Sequence, residues 1–363
     1  MQFTDIIGQD FAAKVLKRSV SSESVSHAYL FVGLEGVGKT TTSLAFASAL
    51  NCENRAPDGE PCGECWSCRA IIEGRHPDVE LIAPETEQTL IEQMREMRRR
   101  AQYRPIRSPW KIIIIEQADS LNEDSASAIL KILEEPPSYA VMMLLAKSMS
   151  SVLPTIASRC QAVRFRQSSM EILRTELMER FGASEEKADF LARYSEGRPG
   201  AAISLLNDED FFTRRDAILD LALQAASTPK SHALRLAEDF RKSCATAAKA
   251  PKKSKTSRSA KTEDEESDAP AASAKTGSRK DLRQGLDSLI LWYRDLLSLS
   301  LAGQNAPIVN VDKKMELSQG AAGLDLKHTR RVLSSLLWAK RAIEGNANTQ
   351  LITEVLMMRM LRG

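Results

Sequence analysis

The segment Gly33-Leu34-Glu35-Gly36-Val37-Gly38-Lys39-Thr40 constrains this chain more than any other, because it fits G-x-x-x-x-G-K-[ST] between the apolar run Ala28 to Val32 and a helix-compatible run ending near Leu50. A strand, a loop of this pattern and a helix in that order form a phosphate cradle. Glycines let backbone N–H groups turn inward around the phosphates, a lysine reaches the β and γ oxygens, a hydroxyl faces Mg²⁺, and the helix contributes its positive end. The pattern assigns Gly33, Glu35, Gly36, Val37, Gly38, Lys39, Thr40 and Thr41 to ATP or ADP, with Thr40 also on Mg²⁺.

A strand feeding a helix through such a loop belongs to a parallel α/β sheet, and the first 165 residues supply the rest of one. Val79 to Ile82, Lys111 to Glu116, Val141 to Ala146 and Ala162 to Phe165 are short apolar runs, expected to be buried on both faces. A helix is predicted over Asn122 to Glu135, with Ala126, Ile129, Leu130 and Leu133 on one face, Asn122 as cap and Pro136-Pro137 as stop. From Ser168 onward the pattern is helical, giving an α/β domain over 1–167, a small helical lid over 168–208 and an all-α domain over 209–363. In the last, Leu282, Leu286, Leu289, Ile290, Tyr293 and Leu297 form one stripe, Val332, Leu336, Leu337 and Ala339 begin another, and Met357, Met358 and Met360 read as core. Residues 241–281 hold no Ile, Leu, Val, Met or aromatic residue, so the sequence predicts a disordered linker there.

A length of 363 residues with 43% hydrophobic and 27% charged positions implies two or three globular domains, and 50 basic against 48 acidic residues excludes nucleic-acid binding driven by bulk charge. No apolar run reaches the roughly 18 residues of a membrane helix, and the N-terminus lacks signal-peptide character, so a cytoplasmic protein is expected.

A hydrolysing phosphate-loop enzyme needs an acid on Mg²⁺ and a neighbouring carboxylate for water. Here the run KIIII leads into Glu116-Gln117. Glu116 can face Mg²⁺, but an amide such as Gln117 takes no proton from water, a loss expected to cost roughly 10²–10⁴ in rate. Asp119, two residues on, is the candidate substitute and with Glu116 would support hydrolysis in a motor subunit, but a shift of that size is expected to point it elsewhere. Nucleotide binding with little turnover follows.

Cys52, Cys62, Cys65 and Cys68 form C-x9-C-x2-C-x2-C inside an insertion rich in Pro and Gly. Four thiolates make a closed, structural Zn²⁺ site. An iron–sulfur cluster is the competing reading, against which stands the missing C-x3-C-P. Cys160 and Cys244 read as ordinary thiols.

The phosphate loop, the cysteine insertion and IIIIEQADSLNEDSASAILKILEEPP, together with DIIGQ at Asp5, SHAYLF at Ser26 and LPTIASRC at Leu153, resemble the bacterial DNA polymerase III clamp-loader subunits of the AAA+ class. The resemblance covers nearly the whole chain outside the linker. It implies an AAA+ parallel sheet with a zinc-module insertion, a helical lid and a C-terminal collar domain. Within the family the delta-prime branch is the better match, through HPDVELIAPE at His76, IIEQADSLNED, LILWYRDLL at Leu289 and the Asn-x-Asn at Asn346, whereas the gamma/tau motor carries an intact Asp-Glu. The resemblance implies that Arg159 of Ser-Arg-Cys acts in trans as an arginine finger on a neighbour's ATP; a structural pairing with a carboxylate at the sheet edge is its alternative. Implied partners are the gamma/tau and delta subunits, with the sliding clamp and primer–template DNA reached through the assembly. Two departures from the motor stand out: Ala146-Lys147-Ser148 replaces a polar γ-phosphate sensor, and Gly197-Arg198-Pro199-Gly200 puts Gly where a Gly-x-x-Arg sensor has Arg. The alternatives are a gamma/tau-type ATPase and a zinc-containing nucleic-acid-binding protein outside replication. The run Arg95, Arg98, Arg99, Arg100, Arg104 and Arg107 fits either DNA phosphates or a solvated face.

Overall fold

The computed structural model describes residues 1–83, 87–225, 228–245, 278–322, 324–345 and 347–361. Its contacts group into two units, Met1–Leu205 and Leu206–Gly363.

In the first unit five parallel strands, β1 (Ala28–Val32), β2 (Val79–Ile82), β3 (Lys111–Ile115), β4 (Ala140–Ala146) and β5 (Gln161–Arg164), pair in the order β2-β3-β4-β1-β5. The alternation of side chains divides the core between the two faces. Tyr29, Phe31, Ile112, Ile114, Met143 and Leu145 pack with helices α1 (Asp10–Ser21) and α2 (Lys39–Asn51). Leu30, Ile113, Ile115, Met142 and Leu144 pack on the other face with Met94, Met97, Ala126 and Ile129 from the later helices. Those helices are α4 (Glu87–Ala101), α5 (Glu123–Glu134) and the short α6 (Pro154–Ala157), whereas α3 (Trp66–Ile72), which follows the cysteine insertion, packs Ile71 on the α1 and α2 face. Burial on both faces holds for the inner strands β1, β3 and β4, but the edge strands β2 and β5 are half open because each has one neighbour. Glu116 falls one residue beyond β3 rather than within it.

The lid consists of α7 (Met170–Glu179), α8 (Glu185–Tyr194) and α9 (Pro199–Leu206). Its entry is tied by Ser168 N–H donating to the Gly197 carbonyl at 2.8 Å.

The second unit is helical: α10 (Phe211–Ala225), α11 (Ala233–Cys244), α12 (Arg279–Ala302), α13 (Lys314–Ala322), α14 (Leu326–Glu344) and α15 (Thr349–Met360). The linker expected over 241–281 is shorter at both ends. Arg241 to Cys244 complete α11, whose Phe240 and Cys244 are buried, and Ser278 caps α12 by accepting from Asp281 N–H. The rest of that expectation, 246–277, lies outside the described residues. Along α12 the buried stripe runs Leu282, Leu286, Leu289, Trp292, Leu296, drifting away from Tyr293 and Leu297 as a 3.6-residue period requires; Leu337 and Met358 are exposed. Arg215 is buried and compensated, donating to Asp312 at 2.6 Å and to Asn310 at 2.7 Å. Asp295, also buried, accepts from the amides of Val309 and Asn310.

Before β2, His76 and Asp78 bind the loop that leads into β3. The buried Asp78 carboxylate accepts from the amides of Ile106, Arg107 and Ser108 at 2.6, 2.9 and 2.9 Å. His76 Nδ1 accepts from Asp78 N–H at 3.1 Å, and Nε2 lies 3.0 Å from Ser108 Oγ, so the ring is seated neutral. Burial pushes its pKa below the usual histidine value, with Asp78 opposing. A depressed folded pKa means the unfolded chain takes up the proton first as pH falls. Stability is therefore full above about pH 6.5 and declines below it. Thermal melts from pH 8 to 5 should show this arm, and His76→Gln should flatten it. Asp78→Ala, which strands three amides, should cost about 3 kcal/mol or more in denaturant unfolding.

Candidate functional site

The phosphate loop leaves β1 at the carboxyl end of the sheet. Gly33 N–H donates to the Ala146 carbonyl at 3.1 Å, fixing the loop's first turn to the end of β4, and Gly38, in the left-handed region, caps α2. Gly36 has φ of +81° and its carbonyl accepts from Gly200 N–H, in the first turn of α9, at 2.7 Å. A Cβ on Gly36 would lie 3.1 Å from Ala201 N, and one on Gly200 would lie 3.0 Å from the Gly36 oxygen, so backbone touches backbone here only because neither residue has a side chain.

The loop opens on a cleft of about 280 Å³. Of the residues read from the motif, Glu35, Gly36, Gly38, Lys39, Thr40 and Thr41 line it, and Glu116 faces them; Gly33 and Val37 support the loop from behind, Val37 as a buried core residue. Lys39 Nζ donates to the carbonyls of Gly33 and Leu34 at 2.5 and 2.8 Å. Thr40 Oγ1 donates to Glu116 Oε1 at 2.6 Å, which brings together the hydroxyl and the carboxylate assigned to Mg²⁺. Burial pushes the Lys39 ammonium below the usual lysine value and Lys147 adds to that, while Asp119, Glu35 and Glu116 pull upward, Asp119 most strongly.

Two residues that sequence reasoning set aside also line the cleft. Lys147, the first residue beyond β4, is an exposed cation with no ion pair to a carboxylate among the described residues. Asp119, expected to point elsewhere, reaches the cleft because Gln117 takes φ +52° and ψ +48°, turning the chain sharply after β3 into a short 3₁₀ turn. Only the place where β4 stops and the sign of one φ decide these positions. Arg198 is not among the cleft residues; its Nε donates to the Ser195 carbonyl at 2.8 Å.

Arg159 lies between α6 and β5. Gln161 at the start of β5 pairs with Tyr29, four residues before Gly33. In a parallel sheet this puts Arg159 toward the opposite end from the phosphate loop, more than about 13 Å away along the strands. Its guanidinium donates to Glu134 at 3.0 Å and to the Thr155 carbonyl at 3.0 Å, a half-exposed pairing of the kind worth little in stability.

The four cysteine sulfurs lie within 4.8 Å of one another, with Cys52 Sγ and Cys65 Sγ 4.0 Å apart. A tetrahedral ion with Zn–S bonds of about 2.3 Å requires edges of about 3.8 Å, so one Zn²⁺ fits; an iron–sulfur cluster, which divides its four thiolates among two or four irons, needs wider spacing. Amides of Cys62, Cys65 and Cys68 donate to the sulfurs of Cys52, Cys62 and Cys65. Burial raises the thiol pKa of Cys52 and Cys68, whereas for Cys62 amide donors outweigh burial and bring it down to about 7. The insertion is stapled to the sheet unit by Glu60, which accepts from Phe3 N–H at 2.6 Å and pairs with Lys17 at 2.7 Å. One Zn²⁺ per chain is expected in metal analysis, released progressively as pH falls and the thiolates protonate. Cys68→Ser should lose it and expose amides 52–68 to hydrogen exchange while β1 and β4 stay protected.

Arg107, from the sequence's arginine run, stacks 3.7 Å over the Trp66 ring, and Arg99 and Arg100 pair with Glu96. No described helix is long and apolar enough to cross a membrane.

A phosphate loop at the carboxyl end of a five-stranded parallel sheet, with a three-helix lid bonded to the loop, defines a P-loop nucleotide-binding fold. Residues 8–169 match the family described as "DNA polymerase III, delta subunit". The chain is 26% identical over 350 residues to DNA polymerase III subunit delta' of Bacillus subtilis, covering 96% of this chain and 95% of the relative. It is 31% identical to subunit tau of Bacillus subtilis over 217 residues and 38% identical to subunit tau of Escherichia coli over 210 residues. Those matches cover 58% and 56% of this chain and 38% and 32% of the relatives, so the chain spans about a third of the tau subunits' length.

Proposed function

We propose that the chain is a delta-prime-type subunit of a DNA polymerase III clamp loader, which holds Mg·ATP or ADP with little hydrolysis of its own and donates Arg159 to the ATP site of a neighbouring subunit. The observation that carries this reading is the placement of Arg159 and the phosphate loop toward opposite ends of one parallel sheet. An arginine so placed cannot serve its own cleft, but in a ring of such subunits it faces the next one. A planar, permanently charged guanidinium stabilises the charge on a transferring phosphoryl group. In cis, Gln117 offers no base, Gly200 no sensor arginine, and the lid bonded to Gly36 favours retention over exchange. ATP supplies the phosphates and Mg²⁺ their charge balance; Lys39, Thr40 and Glu116 hold them. The partners are gamma/tau and delta subunits, and the assembly places the sliding clamp at primer–template DNA in the cytoplasm. The match to the delta' relative over nearly both full lengths supports this choice.

The second reading, a gamma/tau-type ATPase motor, is favoured by the higher identity to tau, over 210 residues, and by Asp119 in the cleft. Mg·ATP binding and single-turnover hydrolysis by the purified chain separate the two. Retention without turnover, abolished by Lys39→Ala, is expected; robust turnover would establish the motor. In the reconstituted loader, Arg159→Ala should lower ATP turnover by roughly 10³-fold or more, with binding by this chain unchanged.

A further inference from the structure

The Gln117 backbone sits in a region that residues with a Cβ rarely occupy, at a cost of about 1 kcal/mol. What this conformation achieves is local. It reverses the chain after β3 so that residue 119, as well as 117, lines the nucleotide cleft. There Asp119 Oδ1 is buried and accepts no hydrogen bond among the described residues. Of the three carboxylates acting on Lys39, Asp119 has the largest effect, ahead of Glu35 and Glu116. A buried, uncompensated carboxylate oxygen is expensive unless a cation or its water completes it. The neighbouring Glu116 is already engaged by the Thr40 hydroxyl.

We propose that Asp119 is the second carboxylate of the nucleotide–metal site, holding the divalent ion's bound water beside Thr40 and Glu116. The inference rests on the nucleotide-binding reading above. It makes the site's affinity for nucleotide dependent on the metal through a residue outside the motif pair.

Binding of a fluorescent mant-ATP to the full chain, with Mg²⁺ and with EDTA, tests it, alongside Mn²⁺ titrations followed by electron paramagnetic resonance. In the wild type Mg²⁺ tightens binding. Asp119→Asn should reduce that tightening by roughly 10-fold or more, as loss of a residue around a metal's bound water does, and weaken Mn²⁺ in the ternary complex, with binding in EDTA unchanged or improved. Asp119→Glu should restore part of the metal effect, which a variant that merely loosened the turn would not do. Equal metal dependence in Asp119→Asn and wild type would overturn the proposal while leaving nucleotide binding intact. Failure of the wild type to bind mant-ATP in either condition would overturn the nucleotide reading and this inference together.

Discussion

The bond from Gly200 N–H to the Gly36 carbonyl is the contact on which the site depends. It joins the lid to the phosphate loop through two backbones, at a separation that would crowd a side chain on either. Helix α9 is thereby fixed against the loop, and the loop is fixed in turn to the end of β4 through Gly33 and Ala146. A nucleotide in such a cleft leaves only if the lid lets go. A side chain at position 200 would press the Gly36 carbonyl back by a few tenths of an ångström, so the glycine there and the closeness of the lid go together.

Much of this was legible in the chain. The motif from Gly33 to Thr40, the five apolar runs and the spacing of Cys52, Cys62, Cys65 and Cys68 each carry a physical requirement that residue types alone express. Glycine where backbone must turn, β-branched runs where both faces are covered and four thiols for one ion are such requirements. The cap on α5 is equally local, with Asn122 accepting from Ser125 N–H as its type suggests. What the chain did not disclose is set by backbone conformation. Nothing in Glu116-Gln117-Ala118-Asp119 announces that Gln117 adopts a positive φ, and without that turn Asp119 is an ordinary loop carboxylate. Likewise Lys147 becomes a cleft cation only because β4 ends at Ala146. The linker was drawn too wide because α11 closes its last turn on Phe240 and Cys244, and a single buried cysteine among polar residues carries little hydrophobic signal.

The cysteine insertion acquires its meaning from where it is tied. It begins at Cys52, directly after α2, and its far side is held by Glu60 on the amides of Phe3 and Thr4 and on Lys17. A short segment this rich in turn residues buries too little apolar surface to order itself, so a metal bound by four thiolates supplies what packing does not. Because Glu60 and Cys52 anchor it at both ends, that order extends to the carboxyl end of the helix whose first turn cradles phosphate. A metal held there would stiffen the phosphate loop's helix from behind without entering the cleft.

A parallel sheet has two chemically different ends, and this chain uses both. At the carboxyl ends of β1, β3 and β4 lie the loop amides, Lys39, Glu116, Asp119 and Lys147, which suit a polyanion with its metal. Toward the amino end of β5 lies Arg159, lightly held by Glu134 and open to solvent. An exposed pair of that kind forms and breaks at little cost, so the guanidinium is available to a stronger anion when one approaches. The two sites share a scaffold and no side chain. Damage to the cleft should therefore leave the arginine's service to a neighbour intact, and loss of the arginine should leave the cleft's own nucleotide in place. Such separation is what a ring of similar subunits requires, since each member must bind on one face and be completed from the other.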